Sequence, residues 1–92
     1  MTTDAMWIKV DPGCVLDAVR RESAERLERG DREVVLDFSS VRRIDAKVVD
    51  ALDELAARAE EKSAAIVLRA IPMEIYRVLK QLRLTQRFVF QT

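Results

Sequence analysis

Short apolar runs that alternate with stretches of helical spacing constrain this chain more than any other feature. Residues 33–38 (EVVLDF) form one such run, bounded by turn residues. Its length and paired valines favour a buried strand. Residues 64–71 (AAIVLRAI) form another. Between the two, Val48, Val49, Leu52, Leu55, Ala56 and Ala59 recur with helical spacing, while Asp50, Asp53, Glu54, Arg58 and Glu61 lie mostly opposite. A single apolar stripe of this kind predicts a helix over 46–61. Asp45, just before it, is a good cap.

The flanking segments continue the alternation. Residues 6–10 (MWIKV) alternate and hold an aromatic and β-branched residues, which predicts a short strand, and residues 11–13 (DPG) end it. Over 14–29 the apolar positions Val15, Leu16, Val19 and Leu27, with Ala18 and Ala24, suit one helical stripe that Gly30 and Asp31 close. Pro72 suits the first turn of a further helix carrying Ile75, Tyr76, Val78, Leu79 and Leu82. Residues 87–92 (RFVFQT) read as a last short strand. Strand and helix thus alternate with short connections, which implies parallel pairing through right-handed crossovers. A chain of 92 residues has room for one modest core. The expected fold is α/β: a single domain over 1–92 with a small mixed or mostly parallel four-stranded sheet and about three helices on one face.

Composition then narrows the function classes. Sixteen basic residues balance sixteen acidic ones, so nothing in that balance favours nucleic acid or an acidic membrane surface; Arg42, Arg43 and Arg69 are candidates for a local basic stripe, with solvated charges the favoured reading. There is no histidine, which removes the commonest general base and metal ligand. Neither a metal nor another cofactor is expected. The one cysteine, Cys14, cannot form an internal disulfide and fits a reducing compartment. It reads as a partly buried filler. No basic start precedes a long apolar run, and no stretch approaches the ~20 apolar residues of a membrane span. A cytoplasmic protein without membrane insertion is expected. With only Gly13 and Gly30 there is no glycine loop to cradle phosphate.

The remaining polar residues have ordinary roles. Asp37 at a strand end and Asp45 at a helix cap fit structure better than acid–base catalysis. Ser39 and Ser40 suit turn backbone groups better than phosphate. Trp7 reads as core. Met73 and Tyr76 read either as core or as a small apolar spot. Lys47 breaks a rule, because it puts a cation in a first helical turn where the dipole favours anions, at a cost of ~0.3–1 kcal/mol. Either it is solvated and screened by Asp45 and Asp50, or it faces an anionic group of a partner.

The stretch 33–90 resembles a STAS domain, the family of the bacterial anti-sigma-factor antagonists and of the cytoplasmic ends of sulphate transporters. VVLDFSSV is similar to the family's strand and its exit, and RID to the Asp before its helix. ALDELAARAEEKSAAIVL is similar to that helix and the next strand, and VLKQLRLTQRFVF to the closing helix and strand. Two departures stand out. The family's phosphorylated serine falls on Ala46, its next serine on Lys47 and its glycine on Val48. At the front, only residues 6–10 stand where the family has a two-stranded hairpin, so an edge of the sheet is expected to be open.

The resemblance implies a non-catalytic interaction module that binds a regulatory protein, such as an anti-sigma factor with a kinase-like ATPase fold. Its docking surface would centre on connector 39–44 and the exposed side of the helix over 46–61, with Ser40, Arg42, Asp45, Ala46, Lys47, Asp50 and Glu54. With a methyl group at Ala46, no kinase would switch it there. It also implies an alternative, since STAS-like subunits dock on the ATPase of bacterial lipid-transport ABC systems. A further alternative is a homodimer in which the short front strand pairs with its copy.

Overall fold

A computed structural model describes residues 7–91. Four strands, β1 (Ile8–Lys9), β2 (Glu33–Asp37), β3 (Ala65–Arg69) and β4 (Val89–Gln91), form one sheet in the order β1-β2-β3-β4. Every pairing is parallel. Right-handed crossovers are the rule for such steps. Because each step moves the same way across the sheet, they deliver all the helices to one face. These are α1 (Val15–Asp17, Ala18–Glu22 and Ser23–Glu28 in succession), α2 (Ala46–Glu61) and α3 (Met73–Gln81).

The core lies between that face and the helices. Val34, Leu36, Ile66 and Leu68 alternate along β2 and β3 and pack in one cluster with Leu27, Leu52, Leu55, Ile75 and Leu79. Full burial of each such Leu or Ile stabilises the fold by ~1.5–3 kcal/mol. Outside the core, Arg87 ties the turn before β4 to α2, pairing with Asp53 and, at 3.3 Å, with Glu60. No helix among the described residues is long and apolar enough to cross a membrane.

Several expectations need correction. The first helix is not regular. A π turn over Ala18–Glu22 lets both the backbone N–H and the hydroxyl of buried Ser23 donate to the Ala18 carbonyl, the latter at 3.0 Å. The wide turn places Ser23 on the core side between Val19 and Leu27, where the sequence offered only Ala24 as an apolar position. Pro72 is the residue before α3 rather than part of its first turn. Val78 and Leu82 are exposed, because Ile75 and Leu79 already fill the narrow strip that this short helix presents to the core. Cys14 is exposed at the start of α1. Trp7 is 40% exposed on the face away from the helices, where the Arg69 guanidinium lies 4.1 Å from its ring. The last strand begins at Val89, after a 3-10 turn over Thr85–Arg87. Of the two terminal strands read from the sequence, Met6 and Thr92 lie outside the described residues.

Each helix ends in a left-handed residue that closes its last carbonyls. Gly30 does this for α1, with Asp31 N–H donating to the Arg26 carbonyl at 3.1 Å. Ser63 and Arg83 do the same for α2 and α3, followed by Ala64 N–H to Ala59 O at 2.8 Å and Leu84 N–H to Leu79 O at 2.9 Å. This is the Schellman pattern.

Candidate interaction surface

Parallel strands all end on one side, so the exits of β1, β2 and β3 and the starts of the three helices share one end of the molecule. Connections of this kind, held on a rigid scaffold, are where binding residues concentrate. Here that end is organised by the exit from β2. Phe38 N–H donates to the Arg69 carbonyl at 2.9 Å and keeps the chain on the sheet for one residue more. Ser39 N–H then donates to the Asp37 carboxylate at 2.9 Å, and Val41 N–H to the Phe38 carbonyl at 3.0 Å. Val41 is buried, which pins the middle of the connector and turns Ser40, Arg42 and Arg43 outward.

Asp37 is a structural group. Burial opposes its charge, but the hydrogen bonds from Ser39 and the nearby Lys9 and Arg69 cations outweigh it and hold its pKa below the usual carboxylate value. Asp45 is extended and caps α2, its carboxylate accepting from Val48 N–H at 3.0 Å. The first turn then presents Ala46 and Lys47 to solvent.

The structure brings Ser40, Arg42, Asp45, Ala46 and Lys47 to this corner, all exposed. Asp50 follows Lys47 by one turn on the same stripe. Glu54 lies a further turn along, ~10 Å from Lys47 by helix rise. It lines a separate hollow between α1 and α2 with Arg20, Ala24 and Arg58, so it belongs to a different surface. Among the described residues no carboxylate pairs with Arg42, Arg43 or Lys47, and no cation pairs with Asp50 or Glu54.

Arg42 and Arg43 form a ridge between two shallow grooves. One, of about 440 Å³, also holds Pro12, Ser40 and Val41. The other, of about 330 Å³, adds Ile44, Glu74, Ile75 and Val78. Pro12, Glu74 and Val78 had no sequence signal for this role, because they reach the corner from two other connections. The corner holds no nucleophile–base pair, and the described residues contain no cluster of His, Cys, Asp and Glu able to hold a metal ion. What it offers is uncommitted basic side chains beside apolar grooves, an arrangement that suits contact with an acidic protein surface.

A family model described as "Mlab, STAS domain" matches residues 15–91. No curated protein and no solved structure shows a significant match to the chain.

Proposed function

Because this chain belongs to the STAS domain family, whose members are in general non-catalytic interaction and regulatory modules, we propose that it docks on a regulatory partner ATPase through the Ser40–Lys47 corner. The binding takes place in the cytoplasm and involves no catalysis by this chain. The carrying observation is that Arg42, Arg43 and Lys47 are all exposed there without an ion-pair partner among the described residues. Their charges are left for a partner to neutralise, which also gives Lys47 its reason to stand in a first helical turn.

The family resemblance aligns the phosphorylated serine of anti-sigma-factor antagonists with Ala46. A methyl group accepts no phosphate, so this docking is constitutive rather than switched by a kinase at that position. Ala46 also favours the second reading, docking on the ATPase of a lipid-transport ABC system, because such an assembly needs no serine switch.

Co-purification from the native host, followed by Lys47→Glu and Arg42→Glu in the same capture, tests the proposal. The expected result is an ATPase that the wild type retains and the double variant loses. Retention of the same ATPase by the double variant would overturn it. Stoichiometric phosphate on the corner after incubation with that ATPase and ATP would overturn its constitutive character. The captured ATPase also separates the two readings, since the transport system brings its permease along and a sigma regulator does not.

A further inference from the structure

Among the described residues, the sheet face turned away from the helices carries an apolar row that no helix covers. Val35, Val67 and Val89 stand in register across β2, β3 and β4. The pairing of Ile8 with Leu36 places Trp7 beside Val35 at the end of the same row. Val67 is only 4% exposed and stands outside the core cluster, so it adds little open surface to the row. The ends of the row are open, with Trp7 at 40% and Val89 at 52% exposure. The next row toward the carboxyl ends of the strands is Lys9, Asp37, Arg69 and Gln91. There Arg69 stacks on Trp7 and donates to Gln91 at 3.2 Å. Toward the amino ends stand Glu33 and Ala65.

We infer that this face pairs with the same face of a second copy, about a two-fold axis parallel to the strands and lying between β2 and β3. That axis sets β1 over β4 of the copy and β2 over its β3. Trp7 then meets Val89, so large meets small at both ends of the row, with the less exposed Val35 and Val67 between them. Lys9 falls opposite Gln91, Arg69 opposite Asp37, and Glu33 opposite Ala65, so no like charges meet. An axis across the strands would instead set Glu33 over Asp37 and Trp7 over Trp7. Charge and side-chain size therefore select the first arrangement, and face-to-face sheets with nearly aligned strands are a standard packing. The edges offer less: β1 contributes two residues to its ladder and β4 three.

With strands ~4.8 Å apart and five residues at ~3.3 Å rise, the patch measures roughly 20 by 17 Å. That is roughly 340 Å² on each copy, below the ~600 Å² per partner of the smaller specific interfaces, so the dimer is weak and forms only at high concentration. It leaves the Ser40–Lys47 corner free and does not depend on the docking proposed there.

Sedimentation equilibrium up to about 1 mM protein tests the pairing, alongside the fluorescence of Trp7, the one tryptophan of the chain. The expected result is a dimer at high concentration, with Trp7 emission shifting to the blue as it forms. Val89→Asp, at an exposed position, removes both effects while the far-ultraviolet circular dichroism stays unchanged. In a Cys14→Ser background, a short bismaleimide, whose span suits sheets ~10 Å apart, cross-links a mixture of Lys9→Cys and Gln91→Cys chains, whereas either variant alone gives no cross-linked pair. A strict monomer throughout the range, a dimer indifferent to Val89→Asp, or equal cross-linking by one variant alone would each overturn the inference.

Discussion

The carboxylate of Asp45 accepts the backbone N–H of Val48 at 3.0 Å, and the first turn of α2 hangs from that bond. Asp45→Ala removes the cap and is expected to destabilise the protein by about 1 kcal/mol, whereas Asp45→Ser keeps an acceptor and costs a few tenths. Urea unfolding of the two variants checks this. Equal losses would mean that the cap contributes little.

Lys47 separates stability from function. Lys47→Glu replaces an unfavourable dipole contact by a favourable one, so the variant is expected to be more stable by ~0.3–1 kcal/mol. Partner capture is expected to fall at the same time. A stabilised variant with undiminished capture would assign Lys47 to the solvent.

Ser63 and Arg83 hold left-handed conformations, with φ of 55° and 61°, that glycine adopts without steric cost. Ser63→Gly and Arg83→Gly are each expected to stabilise the fold by ~0.5–1 kcal/mol. The sites close different helices and their effects should add. Thermal melts of the single and double variants check both statements.

Ser23 carries the π turn of α1. Ser23→Ala leaves the Ala18 carbonyl with its backbone donor only and is expected to cost ~0.5–1.5 kcal/mol. Ser23→Val should cost more, because a β-branched side chain cannot replace the hydroxyl's bond and crowds the preceding turn. Urea unfolding of both variants ranks them.

Asp37 makes stability depend on acid. Its folded pKa lies below the ordinary carboxylate value of 3.8. Its contribution is therefore complete at pH values well above 3.8 and disappears as pH falls through the lower folded value. The stability difference between wild type and Asp37→Asn should shrink as urea melts are taken from neutral pH down through that window. A difference that stays constant would show that the charge of Asp37 contributes nothing.

Much of the architecture was legible because the signals are local. The stripe from Val48 to Ala59 predicted α2 to the residue, and Asp45 was recognisable as its cap from its place before the stripe. The runs at 33–38 and 64–71 predicted β2 and β3 with ends differing by one or two residues. The corner was partly legible. Ser40, Arg42, Asp45, Ala46 and Lys47 fall within eight residues of the chain and remain together in space. Glu54 shared the helix stripe but not the corner, since two turns of rise separate it from Lys47.

Other features could not be read from any segment alone. A serine inside a helical run gives no sign that the turn will widen around it. Val78 and Leu82 have the spacing of core residues, and only the limited width of the cavity under α3 leaves them outside. Trp7 was expected in the core because a large ring in a strand is usually buried. Its exposure follows from which face of β1 it occupies.

The sequence by itself determined the order of strands and helices and a mixed or mostly parallel sheet with its helices on one face, because periodicity and connection length act over a few residues. Only the tertiary structure decided which side chains were left without cover. Register brought Trp7, Val35, Val67 and Val89 into one row from four distant segments, and the shared end of the parallel strands set Pro12 and Val78 beside Arg42. Exposure depends on neighbours, and those neighbours come from parts of the chain that meet only when it folds.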